Sequence, residues 1–464
     1  MTGNLRAAAV GIVRSPAVAR AVARALSLAV SVVLSLALTL AGASSTAGAA
    51  GLSAPEQRVV KAATTEIPRA IELLETLVNI NSGSLNLEGV KRVGDIMRAQ
   101  LEPLGFKVEW VPMTEVGRAG HLLARHEGTG AGANKGKRVL LIGHMDTVFE
   151  KDSPFQKFVR TGDTAEGPGV NDMKDGLSIM VSALRAMKVA GTLAPARITI
   201  VLSGDEESPG KPVSISRRDM RAAAEQSDVA LEFESLAQDG GKDMGTIARR
   251  GFTSWRLVTS AKSGHSSGMF SDDAGFGAIY EMSRILDEFR REAREPNATF
   301  NAALVVGGAS AKISEEGESA SASGKSNIIP ATAVALGDLR TLSNEQTRRV
   351  EEKMRAIVAR HLPGATAEIT LEDEYPAMAP TDGNRKVLAL LNGVNRDLGL
   401  PQMGELDPLK RGAGDIAFVA DKVDALVGFG AVGRGSHAPG ETVDLTSFDR
   451  QIRRTALLIG RLTQ

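Results

Sequence analysis

Cysteine is absent from all 464 residues, which removes disulfide frameworks, thiolate nucleophiles and zinc fingers together. Neither sign of charge is in excess, with 55 lysines and arginines facing 55 aspartates and glutamates. Without a basic surplus the chain has no overall electrostatic hold on nucleic acid, so no nucleic-acid partner is expected. Histidine is scarce: His121, His126, His144, His265, His361 and His437 are the six available for any imidazole chemistry. What is present, 43% hydrophobic and 24% charged residues, is the composition of a folded soluble protein. It excludes a disordered chain, a collagen-like fibre and a polytopic membrane protein. The length exceeds one ordinary domain and favours two or three.

The first fifty residues stand outside that fold. Arg6, Arg14, Arg20 and Arg24 precede an apolar run at 25–41, and small residues follow it. Basic start, apolar middle and small-residue cleavage site is the order of a secretory signal. Residues 1–49 are therefore read as a signal peptide, and the protein as exported, periplasmic or secreted, with no stable membrane contact after cleavage. A retained anchor helix is the alternative, since the run is near the length that spans a bilayer. The leader carries four arginines and no acid, so its removal leaves a slightly acidic chain.

From Glu66 to Leu104 apolar residues recur at spacings of three and four, which predicts helix. Apolar runs at 138–142, 197–202 and 229–231 predict strands, with a helix over 177–189. Near-continuous apolar strands alternating with helices imply an α/β sheet covered on both faces. Residues 251–376 follow a different order, strand, helix, strand, strand, helix, strand, the ferredoxin-like signature. The stretch 312–326 is polar and reads as a mobile loop. A helix at 385–398 and a strand at 425–428 then restore the first pattern. The expected organisation is a catalytic α/β domain in two parts, 50–250 and 377–464, with a lid or dimerisation domain inserted at 251–376.

Three of the predicted strands end on metal-ligand chemistry. Gly143-His144-Met145-Asp146, Gly204-Asp205-Glu206-Glu207, and Glu232 with Glu234 each follow a strand. Ligands of open α/β sheets bind beyond the carboxyl ends of strands, so these groups converge at one rim. A glycine-rich loop, 167–172, adds Asp172 just ahead of a helix. One histidine among several carboxylates suits zinc or a similar divalent ion. Asp146, two residues beyond His144, is placed to hold its other ring nitrogen. Of the neighbours Glu206 and Glu207, one binds metal while the other faces water as base; carboxylates this crowded repel unless cations neutralise them. His437, in Gly435-Ser436-His437-Ala438, follows a later strand and supplies a second imidazole. The segment Gly264-His265-Ser266-Ser267-Gly268 formally matches a serine-nucleophile elbow, but its strand belongs to the inserted domain rather than to an α/β sheet.

With those residues in hand, the chain resembles the dizinc metallopeptidases that include glutamate carboxypeptidase, acetylornithine deacetylase, succinyl-diaminopimelate desuccinylase and aminoacylase. Its motifs are most similar to those of glutamate carboxypeptidase. The strings GHMDTV, GPGVNDMK, SGDEE, GHSSG, SNIIP and GSHAPGE occur in that family's order across roughly residues 60–462. The resemblance implies two zinc ions per chain, with cobalt or manganese as alternatives, bridged by Asp172. His144 and Glu234 would complete one shell, Glu207 and His437 the other. Glu206 would be the general base, Asp146 the orienter of His144, and His265 a lid histidine that assists the reaction, in several members across a homodimer interface. Asn327 and Arg340 match positions that grip the substrate carboxylate, and the loop Gly412-Ala413-Gly414-Asp415 lies against the same end. Two departures stand out. Glu234 precedes Ser235 where the family has proline, leaving Glu232 as an alternative ligand, and Asp172-Met173-Lys174-Asp175-Gly176 is one residue longer than usual.

The function so implied is metal-dependent hydrolysis of amide bonds, releasing a C-terminal amino acid, glutamate among the candidates, from peptides or N-acyl amino acids. A guanidinium grips a carboxylate through two parallel hydrogen bonds, so Arg340 favours substrates with a free C-terminal carboxylate. The alternatives are an N-acyl-amino-acid deacylase of different specificity and a non-catalytic relative that only binds peptides or amino acids.

Overall fold

Runs rich in valine, isoleucine and leucine build the centre of the molecule. The computed structural model describes residues 51–464 apart from 131, 134, 315 and 316; the expected signal peptide lies outside the described residues. In chain order, helices α1 (Ala54–Val78) and α2 (Leu87–Leu101) precede strands β1 (Lys107–Met113), β2 (Arg118–His126) and β3 (Arg138–His144). Helix α3 (Lys174–Ala190) and strands β4 (Arg197–Ser203) and β5 (Val229–Glu232) follow. Next come β6 (Phe252–Ala261), α4 (Gly277–Glu288), β7 (Thr299–Gly308), β8 (Thr332–Arg340), α5 (Asn344–Val358) and β9 (Ala365–Tyr375). The last elements are α6 (Asp382–Asp397), β10 (Asp424–Val427) and α7 (Ser447–Leu462).

The larger sheet has the order β1-β2-β4-β3-β5-β10. Strands β4, β3, β5 and β10 are parallel, with β10 at one edge, while β1 and β2 join antiparallel at the other. Alternation along β3 sends Val139 and Leu141 into a core shared with α1, α3 and α7. Leu140 and Ile142 enter a second core with Ala230, Ala425 and Ile416. Both faces are covered, as the apolar runs imply. In register, His144 lies beside Ser203 and Ile142 beside Glu232, so the segments leaving β3, β4 and β5 emerge along one rim.

The second sheet has the order β7-β8-β6-β9, antiparallel throughout. Helices α4 and α5 cover one face, where Met282, Ile285, Val350 and Met354 pack with Trp255 and Leu257. This is the ferredoxin-like arrangement inserted between the two parts of the larger sheet.

Three local outcomes differ from the sequence expectations. The helical pattern over 66–104 is interrupted at 79–86, where Asn86 caps α2 by accepting from Gly89 N at 3.2 Å. The polar stretch 312–326, expected to be a loop, contributes to a hairpin pairing Ser310–Ile313 with Ala320–Ser323. The second of these strands is exposed at every position, so its polarity reflects solvent rather than absence of pairing. Strands β1 and β2 were not anticipated; β1 is buried only at Met113, its other positions being exposed or half-buried.

Gly176 locks the start of α3 to β5. A methyl group there would meet the Phe233 carbonyl oxygen at 1.9 Å. Gly176→Ala is expected to lower unfolding free energy by about 1–3 kcal/mol, the usual cost of overpacking, measured by urea denaturation. An unchanged midpoint would show that the helix yields freely here.

Candidate active site

The rim brings together five of the residues that the motifs single out. His144 closes β3, and its Nε2 lies 3.1 Å from Asp172 Oδ1. The other Asp172 oxygen, Oδ2, lies 3.1 Å from His437 Nε2, which is also 3.1 Å from Glu207 Oε2. Asp172 therefore gives one oxygen to each of two donor sets, His144–Asp172–Glu234 and Asp172–Glu207–His437, each with its ligand atoms within 4.8 Å of one another. Glu234 joins the first set and Glu232 does not; both accept from Arg249, at 3.0 and 2.8 Å, but the Glu232 carboxylate also accepts from Ile416 N at 2.7 Å. These residues fit a pair of divalent cations: carboxylate and imidazole donors converge, and Glu207 Oε1 is buried without a hydrogen-bond partner. His437 sits at φ 67°, a left-handed backbone that a non-glycine residue adopts rarely.

Backbone N–H groups hold these acids in place. Asp146 was expected to fix His144 through its carboxylate, but Nδ1 lies nearer the Asp146 carbonyl, at 3.1 Å, than its Oδ1, at 3.5 Å. The carboxylate keeps this ion-pair contact with His144 and also accepts from the N–H groups of Glu206 and Glu207, both at 3.0 Å, and from Ser84 Oγ at 2.6 Å. It thus fixes the segment carrying the two glutamates. Glu441 does the same for the Asp172 loop, accepting from Gly169, Asn171 and Asp172 N–H groups at 3.1, 2.7 and 2.9 Å. The extra Asp175 accepts from Ala431 N at 2.6 Å, so the longer motif adds a tie to the strand-end loop beyond β10.

The family model described as Peptidase family M20/M25/M40 matches residues 140–461. The chain belongs to this family. It is a metallopeptidase-family hydrolase acting on amide bonds. Carboxypeptidase G2 of Pseudomonas sp. (strain RS-16) is 28% identical over 432 residues, 89% of this chain and 95% of that protein. Succinyl-diaminopimelate desuccinylase of Gluconacetobacter diazotrophicus is 24% identical, covering 75% of this chain and 86% of that one. Among solved structures, aminopeptidase PepT from Bacillus cereus superposes with TM-score 0.68 at 16% identity, covering 86% and 99% of the two chains. The Bacillus subtilis YXEP protein, described as a dinuclear metal binding peptidase, gives 0.58 at 17% identity, covering 86% and 98%. At these identities the structural likenesses establish the fold.

Within this M20 chain Asp172, Glu206, Glu207, Glu234 and His437 line a cleft of about 500 Å³ whose other walls carry Arg249, Arg340, Lys410, Arg411 and Tyr375. Arg340, at the end of β8, stacks over Phe252 at 4.2 Å and spends its Nε on Asp338 at 2.8 Å. Gly414 is the close approach in its loop, since a methyl group there would meet Arg249 at 2.2 Å. His265 and Asn327 lie together elsewhere: both are exposed, neither lines the cleft, and the Asn327 carbonyl accepts from Ser266 N at 3.0 Å. His265 Nδ1 bonds Ser267 Oγ at 2.7 Å.

Several residues that shape the site carried no sequence signal. Arg217 is buried and bridges Asp205 and Asp415, both at 2.7 Å. Tyr375, on β9, donates to the Glu206 carbonyl at 2.6 Å and ties the second sheet to the loop carrying Glu206 and Glu207. His121 accepts from Gly204 N at 3.2 Å behind that loop. Lone arginines, tyrosines and histidines of this kind match no motif, whereas Glu441 stands inside the GSHAPGE string.

Burial, reinforced by Asp415, Glu207 and Glu234, pushes the Glu206 carboxyl well above the usual range, against the pull of His144. Burial and Asp172 push Glu207 up to about 7. Glu232 and Glu441 are likewise raised to about 7, burial being the main cause. Hydrogen bonds to Asp172 and Glu207 raise His437 to about 11. Without metal, imidazolium protons thus supply part of the missing positive charge. Between pH 4.5 and 6.5 the folded protein holds carboxyl protons that the unfolded chain has released, so rising pH favours unfolding. The melting temperature of metal-stripped protein is therefore expected to fall across that window. Stabilisation by added zinc should grow with pH as metal replaces those protons. A zinc-induced shift that shrinks with pH would contradict a carboxylate-rich metal site.

Proposed function

We propose that the chain is an exported, zinc-dependent hydrolase that releases a C-terminal amino acid from peptides or N-acyl amino acids. The observation that carries this reading is the pair of donor sets sharing Asp172, set beside Glu206 in one cleft with Arg340. His144, Asp172 and Glu234 would hold one ion, and Asp172, Glu207 and His437 the other. Bound there, divalent cations supply Lewis acidity toward the amide carbonyl and lower the pKa of water.

The chain's own groups do the rest. Glu206 takes a proton from the attacking water and returns it to the nitrogen of the departing amine, so the carboxylate ends each turnover as it began. Its raised pKa suits a group that must hold that proton in mid-reaction. Asp146 keeps Glu206 and Glu207 in their places through two backbone N–H groups. Arg340 takes the C-terminal carboxylate with its terminal nitrogens, its Nε being committed to Asp338. The loop at Gly414 lies along the same end of the substrate.

His265 and Asn327 belong to this reading as residues supplied by a second copy of the chain through the lid. Their exposure and mutual proximity away from their own cleft support that assignment, as do the exposed Phe270 and Tyr280 nearby, whose rings lie 5.8 Å apart. Export rests on the basic start, apolar run and small residues of the first fifty positions. No helix of the described residues is long and apolar enough to cross a membrane.

Glu206→Gln is expected to lower kcat by about 10²–10⁴-fold, the usual contribution of a general acid–base group. Bound metal and melting temperature should stay unchanged. Metal lost together with activity would make Glu206 a ligand instead, and retained activity would remove it from the mechanism.

A further inference from the structure

Glu206 lies beyond the end of β4, in a segment that belongs to no helix or strand, so no ladder of backbone hydrogen bonds orients it. Side chains do so instead. A residue's Cα–Cβ direction is set by the two planar peptide groups that flank it. In the plane between Asp205 and Glu206, Asp146 Oδ1 accepts from Glu206 N at 3.0 Å, and Arg217 Nη2 donates to the Asp205 carbonyl at 3.1 Å. In the plane between Glu206 and Glu207, Asp146 Oδ2 accepts from Glu207 N at 3.0 Å, and Tyr375 Oη donates to the Glu206 carbonyl at 2.6 Å. Both planes are pinned at both ends. One carboxylate takes the N–H groups, and two other side chains take the carbonyls.

Donor counting fixes the direction of the Tyr375 bond. A guanidinium has five N–H donors and no acceptor. Arg217 is fully buried and gives Nε to Asp415 at 2.7 Å, and Nη1 to Asp205 Oδ1 at 2.7 Å and to Ser216 Oγ. Its Nη2 serves the Asp205 carbonyl and, at 3.4 Å, Tyr375 Oη. The Tyr375 oxygen is therefore the acceptor toward Arg217, and its hydrogen goes to the Glu206 carbonyl, which can only accept. The ring is held as well, since Tyr375 ends β9 opposite Phe252 and packs on Phe418 at 5.1 Å.

We propose that Tyr375, backed by Arg217, is a positioning residue for Glu206, aiming its carboxylate from the carbonyl side as Asp146 does from the N–H side. This rests on the reading of Glu206 as the group that moves the proton. A displacement of about 1 Å is enough to lower a reaction rate severely, so a Glu206 backbone free to turn costs turnover rather than substrate affinity. Glu207 is tied down separately, through His437 at 3.1 Å.

Tyr375→Phe keeps the ring on Phe418 and removes only the hydroxyl, so melting temperature and bound zinc should be retained. With the zinc-loaded protein and whichever N-acyl amino acid it cleaves fastest, kcat is expected to fall about 10- to 100-fold while KM stays within about 2-fold. Added to Glu206→Gln, the same change should cost less than about 2-fold, because residues acting through one step are not additive. A crystal structure of Tyr375→Phe should show the Glu206 carbonyl turned and its carboxylate displaced, with Glu207 and His437 in place. Where Glu206→Gln is impaired, an unchanged kcat, an equal loss in both backgrounds, or a raised KM with kcat kept would overturn the assignment. So would an unmoved Glu206 in the variant, whatever the activity. Full activity in Glu206→Gln would instead remove the proton-transfer reading, and the crystal structure would still decide the positioning.

Discussion

Negative charge crowded into one small volume is the constraint on which the rest of the site depends. Asp172, Glu206, Glu207 and Glu234 share a cleft, and like charges at such separations raise one another's pKa values or demand cations. The protein answers with geometry rather than with neutralising lysines. Backbone N–H groups are spent on Asp146 and Glu441, acids that do not face the cleft but fix the loops of those that do. The donor oxygens are left uncommitted to side-chain cations at Asp172 and Glu207, where the two histidines approach.

That arrangement follows from the parallel sheet. Four strands running the same way deliver His144, the Glu206–Glu207 segment, Glu234 and the His437 loop to one rim, and the α3 entry brings Asp172 across them. Tyr375 then links the loop carrying Glu206 and Glu207 to β9 of the inserted sheet, packing its ring on Phe418 at 5.1 Å.

Much of this was legible in the chain. Continuous apolar runs gave β3, β4 and β5 nearly to the residue, because burial on both faces leaves no alternation to confuse with surface. Acids and histidines just past those runs come together at one rim, since the ends of adjacent parallel strands lie side by side. The supporting network was not legible: Arg217, Tyr375 and His121 act through contacts across long sequence separations, and nothing local distinguishes them from ordinary core residues. Asp146 shows the same limit more finely. Its position two residues from His144 suggested one contact, which is present at 3.5 Å, but gave no sign that the carboxylate also accepts from Ser84 and from two backbone N–H groups. The hairpin at 310–323 escaped because pairing between small polar residues on an exposed surface leaves no apolar periodicity.

Metal-dependent amide hydrolysis by this rim is the central claim, and one assay addresses it directly. The protein would be offered N-acyl and dipeptidyl amino acids ending in glutamate, aspartate, leucine, alanine or arginine, with and without a chelator. Cleavage abolished by the chelator and restored by zinc is the result expected from the two donor sets around Asp172. Cleavage indifferent to the chelator would contradict the account and move the chemistry to a metal-free nucleophile such as Ser266.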